Sequence, residues 1–243
     1  MLGHLKKFTI ILNSRGRFLY LENLLNSIKN TTSNLSDIEV LISCDIDDDS
    51  TTIFWQNNSS LWPFAALEFI PRERNLHIRL NNLARRANGK YIFVLNDDCE
   101  ILNSNWDAKA YQALEYFPDN IIYGRTHDGS CDKDKEGEYA SFPILSKRAV
   151  ETVGFFMHER FPGLGGDVAI YRVYNEIGRI IDIDVSINHL FHNTVEDVVN
   201  PDKTAIEMRQ ITYASANDIW TFDISQEVNN LKEYISEKAI SCI

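Results

Sequence analysis

Asn96-Asp97-Asp98 follows the apolar run Tyr91–Leu95 and sets two carboxylates side by side. Such a pair repels itself unless a positive group intervenes. A hard divalent cation, Mg2+ or Mn2+, neutralises both and also holds a diphosphate. The competing reading is a turn or helix cap, since aspartate caps commonly and Asn103 or Ser104 is suited to start a helix shortly after. A second acidic run, Asp45, Asp47, Asp48 and Asp49, lacks the central glycine and terminal glutamate of a calcium loop. Asp45, first after a strand-like stretch, is placed to accept a hydrogen bond from a base or ribose, and the later three are expected to face solvent. Asp167 follows Gly163-Leu164-Gly165-Gly166. Glycines permit a close backbone approach there, and the aspartate is either a helix N-cap or a carboxylate presented as a general base. His189 and His192 end an alternating stretch; histidines so placed either pack in the fold or complete the coordination of Mn2+ beside an acidic site.

These groups act together only if the fold gathers them. Phe8–Leu12 and Tyr91–Leu95 read as buried strands, and Ile38–Ser43 and Leu67–Ile70 as two more. Phe18–Ile28 carries Leu19, Leu21, Leu24, Leu25 and Ile28 at helical spacing. Asn75–Asn88 does the same with Leu76, Leu80, Leu83, Ala84 and Ala87, and Gly89 is expected to terminate it. Ser50 and Thr51 are expected to cap a short helix running into Trp55. Strand and helix in alternation predict an α/β chain with a mostly parallel central sheet flanked by helices. Ligands of such sheets bind beyond the carboxyl ends of the strands. Asn13-Ser14-Arg15, Asp45 and Asn96-Asp97-Asp98 all fall at those ends. In the second half, Phe142–Val153 reads as a strand end and helix, Asp167–Ile177 as a helix and Ile180–Ile187 as a strand, with terminal helices beyond Pro201. The charged segment Asp128–Glu138 is expected to be a loop that closes over the site.

Composition narrows the partners. The 243 residues are 44% hydrophobic and 24% charged, which is globular rather than disordered composition. No apolar run approaches the roughly 20 residues a membrane span needs. The start of the chain runs into a strand without the apolar stretch of a secretory signal. Cys44, Cys99, Cys131 and Cys242 are dispersed, which suits reduced thiols and a cytoplasmic protein. Net charge is −11, from 35 acidic against 24 basic residues, and this argues against nucleic acid as a partner.

Read in order, the segments resemble the inverting GT-A glycosyltransferases of the large family 2. FTIILNSRGRFLYLENLLNSI is similar to that family's opening strand, polar turn and leucine-rich helix, and IEVLISCDIDDDST to its second strand. NNLARRANGKYIFVLNDDCEI resembles the segment that leads into its metal motif, with Asn81 and Gly89 at matching spacing. FPILSKRAVETVGFF and GLGGDVAIYRVYNEIGRI resemble its acceptor-side block. The resemblance covers about residues 8–192. It implies a GT-A (Rossmann-like) fold in one domain over residues 1–243, with C-terminal helices. Residues from 1 to about 125 would form the nucleotide-sugar and metal half, about 138–200 the acceptor half and 201–243 a helical tail.

The resemblance further implies a nucleotide-sugar donor, UDP-linked by expectation, and an acceptor that is a glycan, lipid carrier, protein or modified base. Asp45 would contact the base, Asp98 ligate Mn2+ or Mg2+, Asp97 face the ribose or a metal-bound water, and His189 or His192 complete the metal site. Asp167 would take the acceptor's proton, and Asn13, Arg15, Arg79, Asn81 and Asn96 would line the donor, the two arginines on the diphosphate. Two positions depart from the family: Asn96 stands for the first aspartate of the metal motif, and Gly166 for an acidic residue before the catalytic aspartate. A sugar nucleotidyltransferase shares the sheet and metal, but Asn13-Ser14-Arg15-Gly16-Arg17 only faintly approximates its glycine-rich phosphate loop. A catalytically degenerate GT-A binding module is the third reading, suggested by Asn96 and Gly166.

Overall fold

The structure, a computed structural model, describes residues 5–128, 139–163, 165–190 and 218–241. The first half alternates as β1 (Phe8–Ser14), α1 (Phe18–Thr31), β2 (Ile38–Asp45), α2 (Asp49–Asn58), β3 (Ala65–Ile70), α3 (Leu76–Arg86) and β4 (Tyr91–Val94). It continues with β5 (Cys99–Ile101), α4 (Trp106–Leu114), β6 (Tyr123–His127), β7 (Ile144–Ser146), α5 (Lys147–Val153), α6 (Gly166–Glu176), β8 (Ile180–His189) and α7 (Ser225–Ser241). The strands form one sheet in the order β3-β2-β1-β4-β7-β6-β8-β5. The β3, β2, β1 and β4 strands are mutually parallel, as the alternation predicts. Beyond them β7 runs antiparallel to β4 and β6, and β8 is parallel to β6. Short β5 closes the far edge antiparallel to β8.

Strands buried on both faces read as near-continuous apolar runs, and β1 does from Ile10 to Leu12, with buried Thr9 before them accepting from Gly89 N. Its Ile10 and Leu12 join the core beneath α1 and α4, while Ile11 faces the opposite core built with α3, α5, α6 and α7. On α1 the inward residues are Leu21, Leu24, Leu25 and Ile28, each burial stabilising by roughly 2 kcal/mol. Leu19, expected in that row, is exposed instead. No described helix is long and apolar enough to cross a membrane.

Three local expectations are corrected. The α3 helix ends at Arg86, and Gly89 does not cap it. A Cβ on Gly89 would lie 2.4 Å from Thr9 N, so this glycine exists to let the chain pass against β1. The α2 cap is Asp48, whose carboxylate accepts from Thr51 N at 3.1 Å, in place of Ser50 or Thr51. Asp48 is consequently buried rather than solvent-facing. Residues 129–138, His192, Cys131 and Cys242 lie outside the described residues, and with them most of the expected closing loop. Cys44 and Cys99 are buried free thiols.

Candidate active site

The carboxyl ends of β1, β2 and β4 converge, and the turn after β1 organises what meets there. Gly16 has φ +67, a left-handed conformation that glycine adopts without strain, and its N–H donates to Asp48 Oδ2 at 2.7 Å. Asp48 also receives Ser50 Oγ and Cys44 Sγ; burial works against its charge, but Thr51, Gly16 and Ser50 outweigh it and hold its carboxyl down at about 2. Pinned in this way, the turn sends its two arginines to different acidic groups. Arg15 reaches Asp45 Oδ2 at 2.7 Å and Asp47. Arg17 reaches both members of the aspartate pair: Asp97, in a short contact, and Asp98 Oδ2 at 3.0 Å.

Asp97 and Asp98 are 1% and 3% exposed, so neither relies on water for its charge. Ser14 Oγ donates to Asp97 at 2.9 Å. Burial pushes the Asp97 carboxyl up, Arg17 opposing and the Asp98 charge reinforcing it. Burial acts on Asp98 as well, but His189 and Arg17 outweigh it and hold that carboxyl below its ordinary value. His189 arrives through the β5–β8 pairing, which sets Cys99 directly opposite it, and Leu190 N donates to Asp98 O at 2.9 Å. Its Nε2 lies 3.3 Å from Asp98 Oδ1, and its ring packs edge-on against Phe142. Ligand atoms of Asp98, Cys99 and His189 all lie within 4.8 Å of one another. A carboxylate and an imidazole at that spacing fit a divalent cation. Asn96, by contrast, is exposed.

Asp45 occupies a separate corner. Arg79 Nη1 donates to its Oδ1 at 2.7 Å, while Arg79 Nε donates to Ser43 Oγ at 3.2 Å. The structure therefore puts both arginines expected on a diphosphate around Asp45, and Arg79 is 3% exposed. Asn13 Nδ2 donates to Leu76 O at 3.2 Å. Two buried atoms here lack any hydrogen-bond partner among the described residues, the donor Arg79 Nη2 and the acceptor Asn13 Oδ1. Buried polar groups are seldom left so, and an unmatched donor and acceptor invite a ligand edge that matches them.

Asp167 stands at the start of α6, after Gly165 in a left-handed cap. Its Oδ1 accepts from Val168 N at 2.9 Å. Burial, with Asp128 adding its charge, nonetheless pushes the carboxyl up to about 6. Asp128, just past β6, is 6% exposed and also raises the Cys99 thiol, so it electrostatically links the aspartate pair's neighbourhood to Asp167. The small residue before Asp167 has a steric cause. A Cβ on Gly166 would lie 2.4 Å from the His77 ring, which comes from the first turn of α3. His77 is buried, pushed down to about 4 by that burial, and bonds the His158 carbonyl. Asn81, expected at the donor, has both amide atoms engaged elsewhere. It accepts from Phe156 N and Met157 N at 2.9 Å and donates to Met157 O and Glu159, so it clamps the turn after α5.

The sequence therefore names Asp97, Asp98 and His189, which the fold brings together, Asp45, which it holds in a separate corner, and Asp167, which shares the charge of Asp128 with Cys99 beside the aspartate pair. It does not single out Arg17, Asp48, His77 or Asp128. Arg17 figures in the sequence only as the end of a faint phosphate-loop pattern, and spacing does not reveal its charge complementarity with the aspartate pair.

Compared with known proteins, residues 9–175 match the glycosyl transferase family 2 model. No curated protein sequence matches the chain. Among solved structures, S. aureus TarS matches with a TM-score of 0.61 at 13% identity, covering 90% of this chain and 44% of TarS. The chain thus spans under half the length of that relative. TarS 1-349 in complex with UDP-GlcNAc gives 0.59 at 13% identity, covering 94% and 80% of the two chains. The mannosyltransferase PcManGT from Pyrobaculum calidifontis, in complex with GDP-Man and Mn2+, gives 0.59 at 11% identity, covering 98% and 76%. At these identities the likeness is one of fold, and the fold is GT-A-like.

Proposed function

Because this chain belongs to glycosyl transferase family 2, we propose that it transfers a sugar from a uridine diphosphate sugar to an acceptor hydroxyl, with inversion at the anomeric carbon. The observation that carries the reading is the meeting of Asp98 with His189, 3.3 Å apart and brought from opposite halves of the chain beside a second buried aspartate. Asp98 and His189 would hold Mn2+ or Mg2+, and a cation there supplies charge neutralisation for the departing diphosphate.

The base specificity follows from the Asp45 corner. A uracil edge offers one N–H donor flanked by carbonyl acceptors. Arg79 Nη2 supplies a donor for a carbonyl, and Asn13 Oδ1 supplies an acceptor for the ring N–H. Cytosine presents an acceptor at that ring position and leaves Asn13 Oδ1 unmatched, a loss of roughly 1–3 kcal/mol. Asp45 orients Arg79, and Arg15 closes over the same carboxylate.

Asp167 performs the proton transfer. As the acceptor oxygen bonds to the anomeric carbon, the bond to the diphosphate breaks and the hydroxyl proton passes to the Asp167 carboxylate. A carboxyl held near 6 is a stronger base than an ordinary aspartate while still largely ionised at neutral pH. Asp97, tied to Ser14, stays behind Asp98 as a fixed negative charge that favours a cation.

The test is calorimetric titration of the protein with UDP, GDP, CDP and dTDP, each with and without Mn2+. Metal-dependent binding of UDP, absent in Asp98→Ala and weakened in Arg79→Met, is the expected result. Binding of a purine diphosphate in preference to UDP would overturn the base assignment, and UDP binding indifferent to Mn2+ would overturn the metal site.

A further inference from the structure

Arg17 lies where a cation would have to act. One guanidinium spans Asp97 and Asp98, one nitrogen to each carboxylate, and its carbon lies 5.7 Å from the ring centroid of Tyr20, one turn further along α1. The two aspartates are almost wholly buried, while Arg17 is 28% exposed at its side chain. Adjacent buried carboxylates without a counter-charge carry a heavy electrostatic penalty, and the guanidinium removes it. The same contact opposes a divalent cation, because Asp98 Oδ2 is already engaged and a positive charge stands beside the ligand set. The backbone at Arg17 is not committed to this role. The residue sits at the N-cap position of α1, and its side chain makes no capping bond.

Resting on the metal site proposed above, we propose that Arg17 is a built-in competitor of the divalent cation. It keeps Asp97 and Asp98 paired and folded when the donor is absent, and it must leave Asp98 when the cation enters. Metal alone then binds weakly, because it has to displace the guanidinium. Metal arriving with a nucleoside diphosphate binds well, because the anionic diphosphate gives the released guanidinium a new partner at the same sheet end. Metal and nucleotide become coupled: each favours the other by loosening the Arg17 bridge, and the coupling is reciprocal. Water and stray metal are thereby kept off the aspartates between turnovers.

The experiment measures Mn2+ binding to the intact protein by electron paramagnetic resonance of the free ion, first alone and then with saturating UDP. Three variants accompany the wild type: Arg17→Met, which keeps the stem and loses the charge; Arg17→Lys, which keeps the charge and loses the two-armed bridge; and Arg15→Met, which removes an equal charge from the same turn. Without nucleotide, Arg17→Met should bind Mn2+ about tenfold more tightly than wild type, with Arg17→Lys between them and Arg15→Met within about twofold of wild type. With UDP the advantage of Arg17→Met should shrink or reverse. Unchanged or weaker Mn2+ binding in Arg17→Met, or equal tightening in Arg15→Met, overturns the proposal while leaving the metal site standing. If neither wild type nor Arg17→Met binds Mn2+ even with UDP, the metal site itself falls and the proposal with it. Thermal unfolding of each variant confirms that it is folded, and Arg17→Lys carries the test should Arg17→Met not fold.

Discussion

At the scale of single residues, burial and the charges brought from elsewhere in the chain set how each acidic group behaves. Asp45, Asp97, Asp98 and Asp167 could be named from position alone. Their electrostatic states could not, since these depend on which cations the fold brings from elsewhere. Asp167 shows the consequence. Its carboxyl is held up to about 6 by burial and by Asp128, against an ordinary value of 3.8. Acting as a base it must be ionised, so transfer should rise with pH through an apparent pKa near 6 and then level off. Stability runs the opposite way. The unfolded chain releases this proton near the ordinary value and the folded chain only near 6, so folding is favoured at low pH and weakens as pH rises between them. Wild type should lose about 1–3 kcal/mol over that window through this group, and Asp167→Asn should lose that part of the slope. The same variant should lower transfer by about 100-fold or more while leaving UDP binding intact. Steady-state rates and urea midpoints measured from about pH 4 to 8 check both. An Asp167→Asn protein with full transfer would move the base to another residue.

At the scale of elements, α3 does more than its amphipathic pattern announces. Leu80, Leu83 and Ala84 pack its apolar face, as the spacing predicts. Its polar residues reach three different places: Arg79 to Asp45, Asn81 to the turn at 156–159, and His77 to the start of α6. Helical periodicity marks which face is apolar, but it does not say what a buried polar residue on that face bonds to. Gly166, where the resemblance implies an acidic residue, is visible in the sequence, but its steric cause is plain only in space, because the His77 ring fills the room a side chain would take. Gly166→Ala should therefore destabilise by about 1–3 kcal/mol, as overpacking does. His77→Ala in the same chain should restore most of that loss, since it vacates the contact atoms. Urea denaturation of the two single variants and the double variant gives the coupling. Additive losses would show that His77 and Gly166 do not share the space.

At the scale of the whole molecule, the strand order ties the first 125 residues to the rest of the chain within one sheet. The parallel run β3-β2-β1-β4 follows from alternation and was legible. Missing from the sequence was β5, a strand of three residues, too short for any periodicity to register. It leaves the first half, crosses to the far edge and, among the described residues, pairs only with β8, while β4 pairs with β7 as well as β1. The aspartate pair lies between β4 and β5, so the proposed cation ligand Asp98 is strung between one strand held by β1 and β7 and another held by β8. A fragment of residues 1–125 would leave β5 and one edge of β4 without partners, and we expect it not to fold cooperatively. The intact chain should instead unfold in one transition. In a Trp220→Phe background, Trp55, Trp62 and Trp106 report on the first half through fluorescence, and far-ultraviolet circular dichroism reports on the whole. Their urea midpoints should coincide, and UDP with Mn2+ should raise both together, by about 2.7 kcal/mol at a hundredfold excess over the dissociation constant. Ligand that raised the fluorescence midpoint alone would mean that the nucleotide site is built within the first half, and that the β5–β8 pairing does not carry the cation site.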